Sequence, residues 1–219
     1  DKVVQLARSI LIEPERVEIT PSVAAANSVN QLLYYVGKPN KIELCLQLLR
    51  KEIEGNVLIF RRTKNGVEKL EQTLLKNDFK AESLHGDKTQ SARQQALNSF
   101  KNGEVTILIA TDVASRGIDI EDLDAVINFD LPNIPETYIH RIGRTGRAGL
   151  GGITIAFCSP NQIHLLKDIE QHIKMKIPVS SDSNLSIDPS KIIEKPYKKK
   201  SDKPTNKPKT KRKADSYSR

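Results

Sequence analysis

The chain has 219 residues, 35 of them Lys or Arg against 27 Asp or Glu, giving a formal charge of +8 at neutral pH. That excess is local: residues 191–219 hold twelve basic and three acidic side chains, which leaves 23 basic against 24 acidic in the first 190. No apolar run is long enough to span a bilayer, and the first residues lack the apolar core of a secretory signal, so a membrane protein is not expected. A nearly neutral body must bind any anion by local placement, not bulk charge.

In chain order, Val3, Val4, Leu6, Ala7, Ile10 and Leu11 have mostly helical spacing, stop at Pro14 and lead into the extended Val17–Thr20. Residues 1–20 thus read as the last helix and strand of an upstream domain, and 21–28 as a small-residue linker. An alternation follows. Strands are expected at Val29–Val36, Asn56–Phe60, Lys80–Leu84, Val105–Ala110, Ala125–Phe129 and Gly152–Cys158. Helices are expected at Lys41–Lys51, with Ile42, Cys45, Leu46 and Leu49 inward, and at Lys64–Asn77, with Val67, Leu70 and Leu74 inward. Three more fall at Gln90–Phe100, at Pro135 to about Ile142, where proline suits a first helical turn, and at Asn161–Lys174.

Short apolar strands alternating with amphipathic helices predict an α/β fold, a parallel sheet sandwiched between helices, occupying residues 29–179. Cys45 and Cys158 lie far apart in apolar runs and read as buried thiols, as in a reducing, cytoplasmic setting. From 180 to 219 apolar periodicity stops and lysine alternates with proline and small polar residues, a composition that predicts a disordered basic tail.

In such sheets ligands gather beyond the carboxyl ends of the strands. Polar clusters follow that rule: RRTK after Phe60, HGD after Leu84, TDVASRGID after Ala110, and HRIGRTGR after the helix that follows Ala125–Phe129. No G-x-x-x-x-G-K-[ST] phosphate cradle occurs, and the Gly149–Gly152 run is too short and precedes a strand. The chain therefore lacks a complete nucleotide site. Arginines without a cradle suggest a partner that brings one, because an arginine supplied across an interface neutralises charge on a transferring phosphate. The competing reading of these arginines is a solvated face or local salt bridges.

The order GNVLIFRRTKNGVEKL, SLHGDKTQSARQQAL, ILIATDVASRGIDI and YIHRIGRTGRAG resembles the second RecA-like domain of DEAD-box ATP-dependent RNA helicases, over roughly residues 29–175. Arg62–Lys64 is reminiscent of the bacterial RhlE-like branch. The resemblance implies an ATP-hydrolysing RNA helicase whose ATP and Mg²⁺ are held mainly by a first RecA-like domain, with RNA and that domain as partners and a monomeric state. It implies Arg144 and Arg147 as arginine fingers, Asp119 at the ribose and Gly117 for close backbone approach. His140 and Arg141 would bridge to the first domain, and Thr63, Lys64, Gly86, Arg93 and Thr111 would hold RNA phosphates. Read alone, this half would be inactive as an ATPase.

Other readings of the same residues remain. His85 caps a strand, Asp119 caps a turn, Arg116 pairs with Asp112 to shape a loop, and Tyr34, Tyr35 and Tyr138 pack and do not stack on bases. Arg61–Arg62 departs from the family pattern, and either adds a phosphate contact or decorates the rim. The alternative function is a non-catalytic RNA-binding module acting through the basic tail. A helicase of another branch, acting on DNA, is the second.

Overall fold

The structure, a computed structural model, describes residues 5–6, 9–12, 29–115, 118, 120, 123–146 and 152–188. Most of the expected upstream end, the linker, Arg116, Gly117, Asp119, Arg147 and the tail beyond 188 lie outside the described residues. Near the start, Gln5, Leu6, Ser9 and Ile10 are helical, and Leu6 and Ile10 are exposed.

Six parallel strands form one sheet: β1 (Asn30–Tyr35), β2 (Val57–Phe60), β3 (Ala81–Leu84), β4 (Ile107–Ala110), β5 (Ala125–Asn128) and β6 (Ile153–Cys158). Their order across the sheet is β1-β6-β5-β2-β4-β3. Among the residues described from 29 onward, six α-helices accompany them: α1 (Lys41–Lys51), α2 (Lys64–Leu75), α3 (Gln90–Lys101), α4 (Asp112–Ser115), α5 (Pro135–Ile142) and α6 (Ile163–Ile173). Thr63 and Thr89 begin α2 and α3 by accepting from the amides of Gly66 and Ala92, each satisfying one of the orphan donors of a helix start.

Both faces of the sheet are covered, so every residue of β2, β4 and β5 is buried and no polar alternation shows in their sequences. Alternate strand residues feed opposite cores. Ile59, Ile109 and Ile127 pack with Leu44, Leu48, Leu70 and Leu74 of α1 and α2. Leu58, Leu108 and Val126 pack with Ala96 and Phe100 of α3. On that second face, Leu33, Ala156 and Cys158 meet Tyr138, Ile142, Leu166 and Ile169 of α5 and α6. The helical architecture and parallel sheet agree with the expected RecA-like fold.

Tyr34 and Tyr138 are fully buried, as packing residues. Cys45 and Cys158 are free buried thiols, each pushed up to about 12 by burial.

Three expectations need correction. Ile42 does not face inward but is 38% exposed, because the inner stripe of α1 runs through Lys41, Leu44, Cys45 and Leu48. Lys41 tolerates burial by donating to the Phe129 carbonyl and to Gln162 Oε1, both at 2.8 Å. The packed body also extends past 180. Leu33 donates to the Pro178 carbonyl, Ser180 to the Leu33 carbonyl and Ile187 to the Tyr35 carbonyl, so residues 178–187 run along the outer edge of β1. This segment is held by backbone hydrogen bonds and by Leu185, which packs against the core. It therefore needs no apolar period.

The third correction concerns where the arginine-rich turn lies. The loops after β2, β3 and β4 share one rim, because those strands are parallel. The eight residues of α5 rise about 12 Å, roughly the length of β5, and carry the chain from that rim back across the sheet face. The turn that follows is accordingly pinned at the other end of β5, where Leu123 donates to the Arg144 carbonyl at 3.1 Å and Thr145 Oγ1 donates to the Leu123 carbonyl. Gly152 sits against this joint, and a Cβ there would collide with Thr145 Oγ1.

Candidate functional site

Two groups of expected residues come together. The first lines the turn after β4 and the body of α5. A cavity of about 400 Å³ is walled by Asp112, Ser115, Ile134, His140, Arg141 and Arg144, among others. Within it the two described arginines have different surroundings. Arg141 is 2% exposed. Its Nε and Nη2 donate to the two carboxylate oxygens of Asp112 at 2.6 and 2.9 Å, and its Nη1 donates to Asn128 Oδ1 and to the Asp130 carbonyl. The guanidinium also lies 4.7 Å from the centre of the Phe60 ring. A group so enclosed spends its donors inside the domain, beneath His140. Within the described residues Arg141 is the partner of the Asp112 carboxylate, while Arg116, the other candidate, lies outside them.

Arg144 is half-buried, donates from Nη1 to the Ile118 carbonyl at 3.1 Å, and has no carboxylate partner among the described residues. His140 is exposed on the last turn of α5. The wall therefore presents one fixed guanidinium and one imidazole outward, with Arg141 as their internal brace. Ile134, 57% exposed, lines the same opening.

The second group lies on the rim of β2, β3 and β4. Thr63 and Lys64 open α2, where backbone amides and the helix dipole favour an anion. Lys64 forms an exposed ion pair with Asp87, which raises the proton affinity of the lysine and lowers that of the aspartate. Arg93 joins α3 to the turn after β4, donating from Nη2 to the Ala114 carbonyl at 3.1 Å, while its Nε is buried without a hydrogen-bond partner. Thr111 caps that turn, accepting from the Ala114 amide. Among the described residues nothing approaches a Cβ at Gly86 within 4 Å, so their packing gives no reason for a glycine there. His85, beside it, is 3% exposed, and its Nε2 lies 3.4 Å from Glu68.

Sequence reasoning missed the centre of a third cluster. Asp130 accepts from the Arg62 amide at 3.1 Å and lies 3.5 Å from Arg61 Nε and 3.8 Å from Lys41 Nζ. Arg61 stacks on Phe129 at 4.1 Å. The available signal was the departure at Arg61–Arg62, two adjacent arginines that needed a carboxylate on the neighbouring strand end.

The family described as "helicase conserved C-terminal domain" matches residues 40–149 of the chain. The chain belongs to the DEAD-box RNA helicase family. The DEAD-box ATP-dependent RNA helicase CshA of Bacillus subtilis is 39% identical over 173 residues, 79% of this chain and 35% of the relative. The ATP-dependent RNA helicase RhlB of Shewanella halifaxensis is 40% identical over 200 residues, 89% of this chain and 46% of the relative. This DEAD-box domain thus spans between a third and a half of those relatives. Its fold is similar to that of E. coli SrmB, solved bound to regulator of ribonuclease activity A, at a TM-score of 0.67 and 31% identity, covering 78% of this chain and 95% of that one. It is also similar to S. cerevisiae Dbp5, solved bound to RNA and ADP BeF3, at a TM-score of 0.70 and 29% identity, covering 82% and 48%.

Proposed function

We propose that this DEAD-box domain is the C-terminal half of an ATP-dependent RNA helicase that grips the RNA backbone and completes an ATPase site held by a preceding RecA-like domain. The observation that carries the reading is the contrast between Arg141 and Arg144. Arg141 is saturated by internal acceptors, whereas Arg144 faces an open cavity with a single backbone hydrogen bond and no carboxylate among the described residues. A guanidinium fixed in this way matches a phosphate that arrives from outside the chain. Arg144 would meet the nucleotide's phosphates, and His140, with Arg141 beneath it, would bridge to the first domain. Arg147 as second finger, with Gly117 and Asp119 near the ribose, rests on the motif alone. ATP with Mg²⁺ supplies the phosphoanhydride and its charge shielding, and this chain contributes orientation and positive charge.

On the rim, Thr63, Lys64, Gly86, Arg93 and Thr111 would follow the phosphates of one RNA strand. The room kept free at the exposed Gly86 favours a ligand there. Contacts of this kind position the strand without reading its bases, so binding is largely independent of sequence. Action as a monomer in the cytoplasm, and membership of the RhlE-like branch, complete the proposal.

The test joins this chain to a first RecA-like domain and measures RNA-stimulated ATP hydrolysis. Arg144→Ala lowers kcat by about tenfold or more while RNA affinity stays within about threefold. An equal loss of RNA affinity would assign Arg144 to nucleic acid and overturn the finger reading.

A further inference from the structure

Beside the rim, on the other side of Arg61, lies a second cavity of about 400 Å³. Among the described residues its wall contains four cationic side chains, Lys38, Lys41, Arg61 and Arg62, against the single carboxylate of Asp130. That carboxylate already serves two of them, lying 3.5 Å from Arg61 Nε and 3.8 Å from Lys41 Nζ, and it also accepts from the Arg62 backbone amide at 3.1 Å. One negative charge cannot neutralise this group, and the two cations largely held from water, Lys41 and Arg61, favour a further anion.

The arginine is also held in place. Its guanidinium stacks 4.1 Å from the Phe129 ring centre on one side. On the other it meets the first turn of α2 at Gly66, where a Cβ would stand 2.7 Å from Nη2. Arg61 Nε is sealed from solvent and makes no hydrogen bond. Lys41 is lowered to about 8 by burial, a penalty that a second anion would relieve. At the mouth, Lys38, Arg62 and Asn161 are exposed.

Thr63 decides which anion. It lines this cavity and immediately precedes Lys64 on the rim, so neighbouring phosphates of one strand reach both places. We propose that the cavity receives a backbone phosphate of the bound RNA, a site additional to the rim residues and separate from the Arg144 cavity. This rests on the reading of the domain as RNA-binding. It makes the RNA track longer on the β1–β6 side of the sheet and assigns Arg61–Arg62 a binding role.

The experiment titrates the full 219-residue chain with an oligouridylate of about ten nucleotides and follows backbone amide signals by NMR. Lys38 and Asn161 report the cavity, and Gly86 and Arg93 report the rim. Signals from both sets shift together if the proposal holds. The Lys38→Ala/Arg62→Gln variant then binds RNA about fivefold more weakly, and the slope of log K against log salt falls by about 0.7 for each phosphate that is no longer neutralised. Shifts at Gly86 and Arg93 with none at Lys38 and Asn161 overturn the cavity proposal and leave the RNA reading intact. Absence of shifts at all four overturns the RNA reading itself. Shifts at Lys38 and Asn161 with inorganic phosphate but not with RNA also overturn the proposal, and make the cavity a small-anion site.

Discussion

Arg141 grips both carboxylate oxygens of Asp112, at 2.6 and 2.9 Å, and so ties the helix bearing His140 to the turn capped by Thr111. The guanidinium is almost wholly enclosed, whereas Asp112 keeps 30% of its side-chain surface. Removing the cation leaves Asp112, Asn128 and the Asp130 carbonyl without their donor. Arg141→Met should therefore destabilise the domain by about 3 kcal/mol. Asp112→Asn, at the more exposed partner, should cost about 1 kcal/mol. Urea denaturation midpoints of the two variants check this ordering. Equal costs would mean that Asp112, not the enclosed Arg141, is the centre of the network.

Lys64 is expected on the RNA track, yet in the free domain it is paired with Asp87. RNA must compete with that carboxylate for the same ammonium group. Asp87→Asn should therefore raise RNA affinity by about threefold at low salt, an advantage that fades as salt screens the exposed pair. Fluorescence anisotropy at two salt concentrations measures it. A fall in affinity would show that Asp87 itself orients the strand.

Lys41 predicts a pH dependence of stability. Its proton affinity is lowered by burial from an ordinary 10.5 to about 8 in the folded state. The folded form therefore carries a penalty at neutral pH, where the lysine is charged in both states. Between about pH 8 and 10.5 the unfolded chain still holds the proton and the folded chain does not, so stability rises with pH. The gain of wild type over Lys41→Met should approach about 3 kcal/mol across that window. Cys45 and Cys158, raised by burial, act in the opposite direction between 9 and about 12. The comparison is accordingly made against the variant at each pH. A difference that stays flat through the window would show that the carbonyls of Phe129 and Phe157 and the Gln162 amide oxygen keep Lys41 charged in the fold.

Residues 191–219 carry a balance of +9, while the first 190 are nearly neutral. If about six of those cations engage phosphates at once, deleting the segment should flatten the salt dependence of RNA binding by about 4 in log–log slope. The loss should be alike for unrelated RNA sequences, because lysine on phosphate carries no sequence information. Salt titrations of the full chain and of residues 1–190 decide it. An unchanged slope would remove the segment from RNA binding.

The helix starts at Thr63, Thr89 and Pro135 were legible because capping and proline geometry are local. The four-residue strands were legible because burial on both faces leaves a continuous apolar run. The rim after β2, β3 and β4 followed from the parallel order. What sequence could not show was which arginine faces inward. Arg141 and Arg144 are alike in type and three residues apart, and only the end of α5 at Ile142 separates an enclosed brace from an outward group. Lys41 inside α1 was hidden for a related reason: its partners include backbone carbonyls, which leave no trace in residue type. The Asp130 cluster joins positions about 70 and 90 residues apart in sequence, which strand order alone brings together.

The run of residues 178–187 along β1 has a consequence for how the domain survives handling. A sheet edge with unpaired amides and carbonyls is a template for another chain, and apolar β1 would be a sticky one. Here that edge is occupied by the chain's own backbone, through the amides of Leu33, Ser180 and Ile187. Trimming the protein at 177, just after the buried Ile177 and before this run, would strip this selvedge away. Molecules cut there would zip together edge to edge, whereas molecules cut at 190 would stay apart.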